Sequence, residues 1–432
     1  MSDAADPIGD AEHSTPARLL ASLSLMMFLQ SCPLGVWGVT IGTYLAANTG
    51  DQGSGVYSAG FVGYSTAAGA IGGLVSPFVM GLLSDRLWPA QRLVSMLHFG
   101  CAASAVGMAT SQSELGFFLC LVTYFQCYVP TVALMNKVAL RHLAKADVEF
   151  PLVRLFGAFG WISAGIFVGL VWPWTTGESI EATRTPLWIG AVADVLVAIY
   201  AMTLPATPAE RQGPILLQSV IGECRELLAN RRLVAFLAIS LFACVPSMAY
   251  NNYGNAFLNR EGYPNPAALM TFGQVSEMMV LLVMPLLIHR LGLKGVLVAG
   301  MVAWTLRYVC LAAGASYGTS LAVYAAVLLH GPCFAFIYVA GPMYTDRLVG
   351  PQSRGAAQGL YALAAIGLGH LLGALTVGKC QELFLTPEGV SQPPYDWTTF
   401  WLVPAAISFA TAIAFVSVMR GGQVGKRQVD PD

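Results

Sequence analysis

Long apolar runs separated by short polar breaks make up most of the chain. Twelve runs stand out, at 19–47, 57–83, 93–110, 114–140, 151–174, 186–204, 232–258, 266–288, 295–313, 318–345, 356–379 and 397–419. We number them spans 1 to 12. A helix of roughly 20 residues crosses the hydrocarbon core of a bilayer, and these runs have that length. Only helices and closed barrels satisfy their own backbone in lipid, and no alternating strand pattern occurs. The pattern therefore predicts an all-α membrane protein of twelve transmembrane helices.

The polar remainder sets the organisation. Residues 1–18 are polar and acidic, contain Pro7 and Pro16, and lack the basic start and cleavage pattern of a signal peptide. They are expected to form a disordered cytoplasmic tail. The stretch 205–231, with Arg211, Arg225 and Arg231, is the longest interior polar segment and divides six spans from six. It is expected to link two bundles, 19–204 and 232–419, with 420–432 as a second cytoplasmic tail. A faint repeat supports two equivalent halves: Gly81-Leu82-Leu83-Ser84-Asp85-Arg86-Leu87 follows span 2, and Pro285-Leu286-Leu287-Ile288-His289-Arg290-Leu291 follows span 8. Parallel six-span repeats with a midplane site are the architecture of the major facilitator fold.

Charge then orients the molecule and removes several function classes. Of 22 Lys and Arg, sixteen fall on the side of the termini, and only Arg184, Arg260 and Lys379 fall opposite. By the positive-inside rule both termini are expected in the cytoplasm, in a bacterial inner membrane. With 56% hydrophobic and 10% charged residues, against about 25% charged in soluble domains, a water-soluble protein is excluded. A net charge of −1 offers no basic field for nucleic acid. The nine cysteines lack CxxC spacing and read as packing residues, so no metal is expected. There is no GxxxxGK[ST] phosphate loop and no catalytic constellation, which argues against an enzyme, a bound cofactor or ATP-driven work.

Polar groups inside the spans are the site candidates, because lipid penalises them. Glu277 lies near the middle of span 8, with Gln274 one turn earlier on the same face. A carboxyl in apolar surroundings can exchange protons near neutrality, as proton coupling requires; the alternative is a structural Glu paired with a buried Arg. Arg154 in span 5 is suited to a substrate oxygen or a carboxylate, or else snorkels to the interface. Arg307 in span 9 reads as structural. Asp194 and the histidines 98, 330 and 370 also lie in apolar surroundings. Span 7 carries Tyr250-Asn251-Asn252-Tyr253, and span 10 carries His330 through Tyr338 with Phe334 and Phe336. Amides, phenols and flat rings suit a neutral, ring-bearing polar solute, and they also serve ordinary helix packing.

Together these motifs resemble the nucleoside:proton symporter family of the major facilitator superfamily over nearly the whole chain. The resemblance rests on Leu29-Gln30-Ser31-Cys32 and Gly35-Val36-Trp37 in span 1, Tyr128-Val129-Pro130-Thr131 in span 4, and Phe150-Pro151 with Arg154, Gly157 and Gly160 in span 5. Gly254-Asn255-Ala256-Phe257-Leu258, Gln274-Val275-Ser276-Glu277 and Trp304-Thr305-Leu306-Arg307 extend it. It implies a nucleoside pocket at Arg154, Trp161, Asn251, Gln274, Glu277, His330 and Phe334, with Glu277 taking the proton. The chain departs from the family at Ala158, Met248, His330 and Ala335, where the family has Thr, Gln, Tyr and an acidic residue.

The expected function is import of nucleosides, or a related sugar-bearing solute, by proton symport and alternating access. The expected partners are that solute, protons and the lipid bilayer, with the chain a monomer. A proton-independent uniporter or exporter of another small polar solute is the alternative. A ligand-sensing receptor is disfavoured, since neither tail is long enough for a signalling domain.

Overall fold

A computed structural model describes residues 15–50, 53–58, 60–209, 222, 225–350, 353–384 and 396–419. Most of the expected linker and of both tails lies outside these residues. Among the described residues, helix occupies most of each of the twelve expected spans. Ten helices among the described residues are long and apolar enough to cross a membrane, and the 17-residue helix Thr185–Ala201 fills span 6. One of the ten, Pro266–Tyr317, covers spans 8 and 9 in 52 residues. A straight helix of that length would run about 78 Å, far beyond a bilayer. It breaks at Gly292, whose φ of 68° and ψ of 166° lie outside the helical region. The architecture is that of a major facilitator protein.

Several helix starts differ from expectation, among them those of spans 1 and 5. The first helix begins at Ala17, inside the stretch expected as a disordered tail, because Thr15 is anchored. Its backbone N–H and hydroxyl donate to the Glu149 carboxylate at 3.1 and 2.6 Å. Span 5 begins at Ala146 rather than 151, which places Pro151 in its second turn.

Several spans are interrupted. Span 7 stops at Cys244 and resumes at Ser247, after Pro246, which has no N–H to donate. Span 10 is divided into Ser320–Leu328, His330–Phe334, a π-helical turn Ala335–Val339 and Ala340–Leu348. Span 11 contains a π-helical turn at Leu363–Leu368. Such turns re-aim side chains and recur at functional sites.

Spans 1–6 and 7–12 pack as two halves that meet through spans 1 and 7, 2 and 11, and 5 and 8. The meeting is tight at the end away from the termini. A Cβ on Gly42 would lie 1.8 Å from the Asn252 carbonyl oxygen, and one on Gly63 would lie 2.2 Å from the Gly378 nitrogen. Hydrogen bonds join the halves at the same level. Thr43 donates to Asn255. Tyr64 donates to Glu382 at 2.7 Å. Glu181, in the loop before span 6 and only 1% exposed, accepts from Asn255 Nδ2 at 2.8 Å, Asn259 Nδ2 at 2.9 Å and the Ala267 backbone N–H at 3.1 Å. This distal end is sealed.

Opening the distal end must break all three bonds to Glu181, and a bond to a charged acceptor contributes about 1.5–3 kcal/mol. Glu181→Ala is expected to shift the protein toward a distally open state. Gly42→Ala should do the same by steric wedging. Spin-label distances across the distal end test this: they should lengthen in both variants, and unchanged distances would remove the seal's role.

Candidate functional site

Directly on the termini side of the seal, the halves enclose a cavity of about 610 Å³. Its level follows from the order of residues along each helix. In span 1 the lining residues Ser31, Leu34 and Trp37 precede the sealing Gly42 and Thr43, and in span 8 the lining Gln274 and Glu277 follow the sealing Ala267. The wall from the first half includes Ser65, Thr66, Phe125, Ala158 and Trp161, and the wall from the second half includes Met248, Asn251, Asn252, His330, Phe334 and His370. The volume lies within the range of small-molecule sites, and the lining is mainly apolar with a few polar groups, as such sites are.

Of the residues expected from the sequence, Trp161, Asn251, Gln274, Glu277, His330 and Phe334 all line this one cavity. Arg154 does not. Its Nη1 donates to Asn136 Oδ1 at 3.1 Å on an exposed part of span 5, nearer the termini than the lining Gly157. Among the departures from the family, Ala158 and Met248 face the cavity, whereas Ala335 is fully buried in the π-helical turn and is not part of the lining.

The second-half wall is organised by Arg307, which the sequence suggested only as a structural residue. Arg307 is fully buried, and its Nη2 lies 3.2 Å from His330 Nδ1. A guanidinium can only donate, so His330 Nδ1 accepts and the ring carries its hydrogen on Nε2 in the neutral form. Nε2 faces Glu277 Oε2 at 3.6 Å, longer than a hydrogen bond. The guanidinium carbon also lies 3.4 Å from the centroid of the Tyr250 ring, where a desolvated cation–π contact is worth about 2 kcal/mol. His330 in turn stacks on Phe334 at 4.2 Å, and Phe334 on Tyr338 at 5.1 Å. A permanent charge is thereby connected through a tautomer-fixed imidazole to a carboxylate whose side chain is 31% exposed to the cavity.

The breaks in spans 7 and 10 put these groups in place. Ser276 donates to the Leu328 carbonyl at 2.6 Å, holding the end of the helix just before His330. Tyr308 donates to the Pro246 carbonyl and steadies the chain before Met248, Tyr250 and Asn251. His98 and Asp194, also noted in the sequence, pair through Nδ1 and Oδ1 at 2.8 Å, fully buried between spans 3 and 6 and apart from the cavity, while His98 Nε2 and Asp194 Oδ2 are buried without a hydrogen-bond partner among the described residues. Tyr250, Asn252, Arg307 and His370 complete the site's surroundings beyond the residues first selected. Tyr250 and Asn252 belong to the cluster that contains Asn251, so local composition carried that signal.

Comparison with known proteins identifies the family. Residues 18–423 match the model for the nucleoside H+ symporters. The chain belongs to that family. It is 32% identical to the putative nucleoside transporter YegT of Escherichia coli over 405 residues, 93% of each chain. It is 28% identical to the Escherichia coli nucleoside permease NupG over 421 residues, 93% of this chain and 96% of the permease. The crystal structure of the nucleoside transporter NupG superposes with a TM-score of 0.82 at 25% identity, covering 94% of this chain and all of that one. The family is one of membrane transporters rather than enzymes.

The His330 geometry makes a testable distinction. His330→Phe deprives buried Arg307 of its hydrogen-bond acceptor, while His330→Gln retains an acceptor and a donor in similar positions. Thermal unfolding in detergent should show a loss of about 2 kcal/mol for the Phe variant and little for Gln. Equal loss in both would argue against the donor–acceptor chain.

Proposed function

We propose that the protein imports nucleosides together with protons by alternating access, with Glu277 as the proton-binding group. The observation that carries this reading is that Glu277 is the one carboxylate lining the cavity among the described residues, in a chain of the nucleoside H+ symporter family. Trp161, Asn251, Gln274, His330 and Phe334 surround it with amides and rings suited to a base and its sugar. Arg154 would act at the approach to the cavity instead of inside it.

In this reading the twelve helices span a bacterial inner membrane as a monomer. Both termini are cytoplasmic, and 205–231 links the two bundles. The distal seal then faces outward, and the structure corresponds to a state closed to the outside. Reversal would bring Glu277 to the outer side, where it takes a proton, the nucleoside binds, and rocking of the halves carries both inward. A proton-independent transporter of another solute is the second reading, favoured by the apolar Ala158 and Met248 in the lining.

Uptake of radiolabelled uridine into proteoliposomes separates these readings. An inward proton gradient should drive accumulation by the wild type. Glu277→Gln should abolish accumulation while counterflow exchange of uridine persists. Uptake indifferent to the gradient would support the second reading.

A further inference from the structure

His370 enters the cavity wall with a hydrogen-bond chain of its own. His370 follows the π-helical turn Leu363–Leu368, lines the cavity and is half-buried. Its Nε2 lies 2.8 Å from the Tyr338 hydroxyl. Tyr338 donates to Ser247 Oγ at 3.0 Å, and Ser247 donates to the Cys244 carbonyl at 2.7 Å. That carbonyl stands at the break in span 7 and can only accept. The single hydrogen of Ser247 is therefore committed to it, and the single hydrogen of Tyr338 is committed to Ser247. The hydrogen between Tyr338 and His370 must then belong to His370 Nε2. In the neutral ring this leaves Nδ1 with a free lone pair. Nδ1 makes no hydrogen bond among the described residues, and it is not among the polar atoms sealed away without a partner.

We propose that His370 is a hydrogen-bond acceptor for the transported solute, presenting Nδ1 to a hydroxyl or N–H of the substrate. The assignment rests on, and deepens, the nucleoside reading. His330 and His370 are thereby set to opposite tasks by their neighbours. Arg307 occupies the lone pair of His330 and turns an N–H toward Glu277, whereas Tyr338 occupies the N–H of His370 and turns a lone pair toward the cavity. The first ring offers a donor and the second an acceptor, so a solute must bring both kinds of group to use both walls. A nucleoside does so, through its ribose hydroxyls and base carbonyls.

Two measurements on the full-length protein in detergent test this. Nitrogen NMR of histidine-labelled protein, with the His370 signals identified from their absence in His370→Phe, should report hydrogen on Nε2 and none on Nδ1. Titration calorimetry should then compare uridine with its 2′-deoxy, 3′-deoxy, 5′-deoxy and N3-methyl analogues. His370→Phe should weaken uridine binding about tenfold, the size of one hydrogen bond. One analogue, the one lacking the matched donor, should bind the wild type and the Phe variant equally. His370→Asn, whose side-chain oxygen lies near the Nδ1 position, should recover most of the uridine affinity. Hydrogen on Nδ1, or an equal loss for every analogue with no recovery in Asn, overturns the proposal. If folded wild-type protein binds none of the nucleosides, the nucleoside reading fails, and the NMR result alone then upholds or overturns His370 as the acceptor.

Discussion

The backbone of a chain immersed in lipid has no water to turn to, and this constraint shapes the site. An interrupted helix strands carbonyls that would each cost several kcal/mol if left bare in hydrocarbon. Spans 7 and 10 are interrupted, and at each break side chains from neighbouring elements supply hydrogens: Ser247 and Tyr308 to Cys244 and Pro246, Ser276 to Leu328, and Tyr361 to Ile337. Three of the candidate binding residues follow these covered breaks. Asn251 comes after the first and His330 and Phe334 after the second, while His370 follows the π-helical turn of span 11. At these breaks the freed carbonyls are paired by protein side chains.

A second level of organisation is the placement of charge. Arg307 is permanently cationic and fully enclosed, and it is tolerated through the Tyr250 ring face and the His330 lone pair. By occupying Nδ1 it determines what His330 presents to Glu277. Two carboxylates near the seam illustrate how environment separates roles. Glu181 is shut in by three donors from the opposite half and serves closure. Glu277 has no such set of donors and keeps 31% of its side chain accessible to the cavity.

The seal and the cavity depend on each other mechanically. Residues without a Cβ at positions 42 and 63 let the two halves touch backbone to backbone at the distal end. One level below, the walls part around the cavity, which Trp161 and Phe125 line. Close contact at one level with separation at the next is the geometry expected of two rigid bundles rocking about a central site.

The all-helical class and the positions of the apolar helices were legible in the sequence because crossing lipid demands an uninterrupted apolar length, a property read along the chain without knowledge of neighbours. Six of the seven selected residues share the cavity for a related reason: a polar group within an apolar run is costly, so its presence marks a place where protein or water must face it. Arg154 lay too near the end of its span for that reasoning to separate cavity from interface. Other features had no local signature at all. Glu181 sits in an ordinary polar loop and is buried only because spans 7 and 8 of the other half close over it. The choice of hydrogen on His330 and His370 was decided entirely by partners 23 and 32 residues away, Arg307 and Tyr338. Hydrophobic length is a property of the single helix, whereas donor and acceptor assignments exist only between helices, and that is why the first was written in the sequence and the second appeared only with the tertiary structure.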